Sequence, residues 1–372
     1  MIRFIKALAV FAGTIIGVGI FGLPYVASKT GFLIVVFYFI LMSIIAIAIH
    51  LLFGRVASGT KGLYRLPGYA GEYLSGKWKA FSFLILVLGL TGALLAYLIV
   101  GGTFLNLFFA PYFGGNNLIY TLLFFSAGAL LIFRGIKSIS QIELALLFVF
   151  FGILLVFLIK AFPFININNF ESVDFKFIAF PYGVVLFSLW GSALVPEIKE
   201  MLGGDAKTLK RVIISGVLLA AVTYLFFIFI ILGASGANTS KEAISGLANT
   251  LGGGVIRLGF IFGIITTFTS FLTLGLTLKK VFWYDLGLSK NLSWLIACFL
   301  PLILFFFGFR QFIEVIGLTG AVAIGLEGLI IVFLYREFLK KKFQKRMNFL
   351  FYLLPVFFIL GAFFEIYYFI VR

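Results

Sequence analysis

The chain alternates long apolar runs with short stretches that hold most of its charged and turn-forming residues. A helix needs roughly 20 apolar residues to cross about 30 Å of hydrocarbon. Eleven stretches reach that length, at about 4–27, 32–54, 80–109, 117–134, 142–161, 176–201, 208–233, 254–284, 292–308, 312–336 and 349–371. A membrane β-barrel would instead alternate apolar and polar residues over segments of about 10 residues. The runs here are continuous, so the pattern predicts an all-α integral membrane protein, one transmembrane domain over 1–372. Composition narrows the picture further: 63% of the residues are hydrophobic and 11% charged, against about 25% charged in soluble domains. A globule of this size needs a mostly hydrated shell. A soluble enzyme, a nucleic-acid binder and a disordered protein are excluded.

The net charge of +16 raises the question of a polyanionic partner, and the placement of the charges answers it. With the N-terminus in the cytoplasm, the cytoplasmic segments hold 22 of the 29 Lys and Arg residues, Lys137 among them. Lys29, Lys160, Lys176, Lys241, Arg257, Arg310 and Arg372 fall on the other side. That asymmetry fits the positive-inside rule for every alternating loop. It predicts a multi-pass protein of the cytoplasmic membrane, N-terminus inside and C-terminus outside, whose basic excess faces the lipid bilayer surface. No nucleic-acid partner is implied, and nothing in the pattern sets an oligomeric state. Arg3, Lys6 and the small residues around Ala27 also resemble a signal peptide, but the run exceeds a signal core and its glycines reappear in a later span.

Segment 55–79 holds a candidate short interfacial helix at Pro67–Leu74. In the segment 234–253, Thr239 and Glu242 have capping-box spacing and predict a short helix to about Thr250, either a lid or a plain surface loop. The basic run 340–346 reads as a solvated turn.

Spans 1 and 6 are interrupted in the same way. GTIIGVGIFGLP (13–24) carries Gly13, Gly17, Gly19 and Gly22 before Pro24. FSLWGSALVPEI (187–198) carries Gly191 before Pro196. Glycine lowers the cost of leaving helical dihedrals and proline removes a donor. Unwound backbone survives in hydrocarbon only around a cavity or solute. Matching interruptions in two halves point to an inverted-repeat transporter with its site between them. Close helix packing through small residues is the competing explanation.

The first of these stretches resembles the first-helix signature of the amino acid–polyamine–organocation superfamily. PGYAGEYLSGKWKAF (67–81), AYLIVGG (96–102) and LVPEI (194–198) are similar to its amino acid/auxin permease branch, which includes bacterial aromatic amino acid permeases. The resemblance implies a LeuT-type fold. Spans 1–5 (1–161) and 6–10 (176–336) would be inverted repeats, helices 1 and 6 would unwind at mid-membrane, and span 11 (349–371) would be peripheral. It also implies a secondary amino acid transporter working by alternating access and symporting a cation.

An amino acid is a zwitterion, and a broken helix offers it both polarities. Polarity and the resemblance together assign the amides of Gly17, Val18 and Gly19 to the carboxylate. Carbonyls of Thr14 and Ile15, and others from Phe187 to Trp190, suit the ammonium. Phe187, Trp190 and Tyr97 are candidates to line or gate the pocket. Ser188 and Ser192 are candidate polar contacts, or bond back to their own helix.

Thr266, Thr269 and Ser270 share one face of span 8, and hydroxyl and carbonyl oxygens suit hard cations. The resemblance adds the carbonyls of Gly13 and Ile16, giving a candidate sodium site. No other cofactor is expected. Glu327, inside span 10, is the candidate for proton coupling, since an intramembrane carboxylate is functional by default; a structural role is the alternative. Glu143, Glu314 and Glu365 are expected near span ends, and His50 at the interface. An uncoupled exchanger and a non-transporting amino acid sensor are the alternative functions. One Cys, one His and no GxxxxGK[ST] loop argue against an enzyme or an ATP-driven pump.

Overall fold

The computed structural model describes residues 2–62, 64–135 and 139–371. Lys137, Arg372 and the side chain of Glu143 lie outside the described residues. All eleven expected spans are helical. Helices α1 (Ile2–Ile15) and α2 (Gly19–Thr30) form span 1 and meet at a bend of 50°. Span 2 is α3 (Phe32–Gly59), and the short α4 (Leu66–Tyr73) follows it. Spans 3–5 are α5 (Gly76–Phe113), α6 (Asn117–Arg134) and α7 (Ile139–Ala161). Span 6 is split into α8 (Pro181–Ser188) and α9 (Val195–Met201). Span 7 is α10 (Ala206–Ser235), followed by the single turn α11 (Ala248–Leu251). Spans 8 and 9 are α12 (Gly253–Lys280) and α13 (Lys290–Phe306). Span 10 is α14 (Phe312–Leu318) and α15 (Gly325–Phe343), joined by a π-helical turn at Thr319–Ile324. Span 11 is α16 (Leu353–Val371). No strand occurs among the described residues.

Helix starts follow local chemistry. Asn116, Asp205 and Ser289 each accept a hydrogen bond from a first-turn amide of α6, α10 and α13. The Thr208 hydroxyl and amide hold the exposed Asp205 carboxyl below its ordinary range. Pro196 lies in the first turn of α9, where its missing amide costs nothing. Thr239 and Glu242 do not open a helix. The Thr239 hydroxyl is spent on Ser235 and the Gly236 carbonyl, and Ala243 at φ 67° breaks the run, so helical structure begins only at Ser245.

The core is assembled through small residues. On α5, α6 and α12, Gly101 meets Phe124, Gly128 meets Phe271 and Gly263 meets Phe104, so a glycine on one helix seats a ring from its neighbour. The tightest contact is backbone to backbone: Gly183 of α8 lies against Gly317 and Gly320 of span 10, leaving no room for a Cβ at Gly183 or Gly320. Outermost is α16, with Phe358 seated on Gly328 while Phe363 and Ile370 stay exposed. Glu365 lies in the last third of α16, as expected, but does not reach out to the span end. It is buried beside Gly317, because α16 covers the α8–α14 contact.

The loops expected on one side do meet at one end. Lys199 Nζ donates to the Ala57 carbonyl at 2.6 Å, Arg55 to the Tyr335 hydroxyl at 2.9 Å, and Arg65 approaches both Glu197 and Asp285. Lys241 bonds Gln311 between two loops expected on the other side.

Gly320→Ala should destabilise the detergent-solubilised protein by about 1–3 kcal/mol, since its methyl meets backbone that cannot rotate away. At Gly152 on α7 a methyl group would find nothing within 4 Å, so Gly152→Ala should leave the melting temperature unchanged or raise it. Thermal melts of the two variants check this.

Candidate functional site

Both breaks expose main chain that the helices cannot satisfy internally. Beyond α1, the Gly17 amide turns back to the Ile15 carbonyl at 2.7 Å, and the Ile20 and Phe21 amides bond Gly17 and Val18. The Val18 amide donates to the Tyr97 hydroxyl of α5 at 3.2 Å. Beyond α8, the Leu189 and Trp190 amides return to Val185 and Phe187, and the Gly191 amide donates to His50 Nε2 of α3 at 3.1 Å.

The Tyr224 hydroxyl of α10 joins the two breaks. It donates to the Ile15 carbonyl at 2.5 Å and to the Ser188 carbonyl at 3.0 Å. These carbonyls end α1 and α8, so one side chain terminates both first half-helices. The glycines permit this closeness. A side chain at Gly17 would collide with the Tyr97 hydroxyl, and one at Gly19 with Ser188 Oγ.

Between the breaks lies a cavity of about 100 Å³. From span 1, Thr14, Ile15, Gly17, Val18 and Gly19 line it. Phe187, Ser188, Trp190 and Ser192 line it from span 6, and Tyr97 from span 3. Every residue the sequence singles out for substrate thus faces one space. Leu86, Leu90 and Ile324 add apolar wall. Two of the three amides assigned to a carboxylate, those of Gly17 and Val18, already have partners in this conformation, and the Ile15 carbonyl holds Tyr224. The Thr14 and Ser188 hydroxyls bond back to Val10 and Val184, whereas Ser192 turns outward from its helix.

Glu327 closes the same cavity from span 10. Its Oε1 accepts from Ser192 Oγ at 2.5 Å and its Oε2 from Trp190 Nε1 at 3.0 Å. Among the described residues no basic side chain pairs with it. The candidate cation residues form a second cavity of about 50 Å³, where Gly13 and Ile16 face Thr266, Thr269 and Ser270. Thr266 and Thr269 bond back to Phe262 and Ile265, which leaves each hydroxyl a lone pair. Gly17 lines both cavities.

Two participants escape a reading of the sequence. Tyr224 shows there only as one hydroxyl, next to that of Thr223, in a largely apolar run. His50, expected at the interface, is fully buried between Phe11 and Trp190, because the unpaired Gly191 amide draws its imidazole inward. Its Nδ1 has no hydrogen-bond partner among the described residues.

Solved structures share this architecture. MhsT, in complex with L-phenylalanine, aligns with a TM-score of 0.70 at 17% identity, over 97% of this chain and 98% of its own. The Eremococcus coleocola manganese transporter, with an aromatic bis-isothiourea compound, gives 0.70 at 11% identity, over 98% and 85%. The nucleobase-cation-symport-1 family transporter MHP1, closed on bromovinylhydantoin, gives 0.65 at 15% identity, over 90% and 78%. At these identities the likeness establishes the fold, which is of the LeuT type. No curated protein sequence matches the chain. The tryptophan/tyrosine permease family model matches residues 2–367, nearly the full length, and the chain belongs to that family of membrane transporters.

Proposed function

We propose that the protein carries an aromatic amino acid across the cytoplasmic membrane by alternating access, in symport with a sodium ion. The N-terminus is cytoplasmic in this reading, and spans 1–5 and 6–10 act as inverted repeats. One observation carries it: the residues around both helix breaks line one cavity, joined through Gly17 to a second cavity lined by oxygen-bearing residues. The family's name and the phenylalanine bound to MhsT favour an aromatic substrate.

The carboxylate goes to the start of α2, replacing the Tyr97 oxygen on the Val18 amide. The ammonium goes to the carbonyl end of α1 at Thr14. The aromatic ring lies against Phe187, Trp190 and the apolar wall of Leu86, Leu90 and Ile324. Sodium takes the carbonyls of Gly13, Ile16 and Thr266 and the hydroxyls of Thr269 and Ser270. It would brace the unwound segment that holds the carboxylate, and this shared segment couples the two bindings.

A proton-coupled mechanism is the second reading. It is favoured by the buried Glu327 carboxylate in the cavity wall, which has no ion-pair partner among the described residues.

Gly17→Leu should abolish binding of labelled aromatic amino acids while the protein still elutes as a folded species. Wild-type affinity in that variant would remove the site from span 1. In proteoliposomes, Thr269→Ala with Ser270→Ala should eliminate stimulation of uptake by an imposed sodium gradient. Uptake that ignores sodium but follows a pH gradient, and is lost in Glu327→Gln, would establish the proton reading instead. Counterflow without accumulation under either gradient would identify an uncoupled exchanger.

A further inference from the structure

We propose that Glu327 recognises the substrate's side chain by accepting a hydrogen bond from its ring N–H or O–H. The protein would thereby select tryptophan and tyrosine over phenylalanine. The proposal rests on the aromatic-substrate reading above and adds the group that discriminates within that class.

The polar side chains around the cavity divide clearly. Thr14, Ser188 and Thr277 return their hydroxyls to their own helices, and Tyr97 is committed at the Val18 amide. Glu327 is the acidic side chain in the lining. Each carboxylate oxygen has two acceptor sites. Ser192 uses one on Oε1 and Trp190 one on Oε2, so each oxygen retains a second. The protein's own Trp190 already makes the proposed bond, an indole N–H donating to this carboxylate at 3.0 Å. Glu327 is 6% exposed, so water competes weakly for its remaining sites.

Position assigns this acceptor to the ring rather than to the ammonium. In the reading above, the zwitterion's own charges go to main chain at the span 1 break. Glu327 lies on span 10, beside Trp190 and Ser192 of span 6 and near Ile324 in the apolar wall. A ring bearing a donor completes the carboxylate's hydrogen bonding there. A hydrocarbon ring desolvates it and returns nothing, which is how a buried polar group rejects a ligand that lacks the matching partner.

The test is competition against labelled tryptophan binding to purified wild-type protein and to Glu327→Gln and Glu327→Met variants. In the wild type, tryptophan and tyrosine should compete at least ten times better than phenylalanine. Tryptophan methylated on the ring nitrogen should lose at least tenfold, while tryptophan methylated on ring carbon 7 should not. This arm needs no variant and controls for the added bulk. Glu327→Met should bring tryptophan, tyrosine and phenylalanine within about threefold of one another, and Glu327→Gln, which keeps one acceptor, should fall between. Equal competition by all three in the wild type, or equal tolerance of the two methyl isomers, overturns the proposal. So does a folded Glu327→Met that loses all three alike, which would place the ammonium on the carboxylate. A wild type that binds none of the three overturns the aromatic-substrate reading itself.

Discussion

Main-chain hydrogen bonding within an apolar bundle is the constraint on which this structure depends. An unpaired amide or carbonyl away from water costs about as much as a lost hydrogen bond and its desolvation. Two spans are nevertheless interrupted, and side chains from three uninterrupted helices stand in for the missing turns. Tyr97 of α5 meets the Val18 amide, His50 of α3 meets the Gly191 amide, and Tyr224 of α10 meets the Ile15 and Ser188 carbonyls. The continuous helices thus hold the broken ones open, and the cavity lies where the substitution takes place.

The third irregular span acts on the same space. A π-helical turn inserts one residue into a helix. At 3.6 residues per turn, one residue rotates every later side chain by about 100°. The turn at Thr319–Ile324 ends just before the first turn of α15, which carries Glu327, so it sets the face on which that carboxylate emerges. The close seat of Gly183 against Gly317 and Gly320 fixes span 10 to span 6 where this rotation occurs. The acidic group therefore owes its place in the cavity to helix packing and not to sequence spacing alone.

Much of this is legible in the chain. The eleven spans follow from apolar length alone. The breaks follow from Gly17, Gly19 and Gly191 set close to Pro24 and Pro196, since no other composition leaves helical dihedrals so cheaply within hydrocarbon. Because residues flanking a break must face whatever fills it, Thr14 to Gly19 and Phe187 to Ser192 can be named from their positions along the chain. The misses share a different origin. Tyr224 and His50 matter through partners 209 and 141 residues away, and no local pattern encodes such distances. Glu365 reads as a span-end residue because it lies toward the end of span 11 (349–371), while its burial depends on where α16 docks. At Thr239 and Glu242 the spacing is right, but the left-handed backbone of Ala243 overrides it.

The Tyr224 hydroxyl has one proton and two claimants. Its oxygen sits 2.5 Å from one carbonyl and 3.0 Å from the other, so a rocking motion that parted α1 from α8 would cost one of them this hydrogen bond, at about 0.5–1.5 kcal/mol. The cheaper route keeps both ends yoked to α10. Any hinge in these two spans then falls on the far side of the tether, among the glycines, and the paired stubs travel as a single rigid piece.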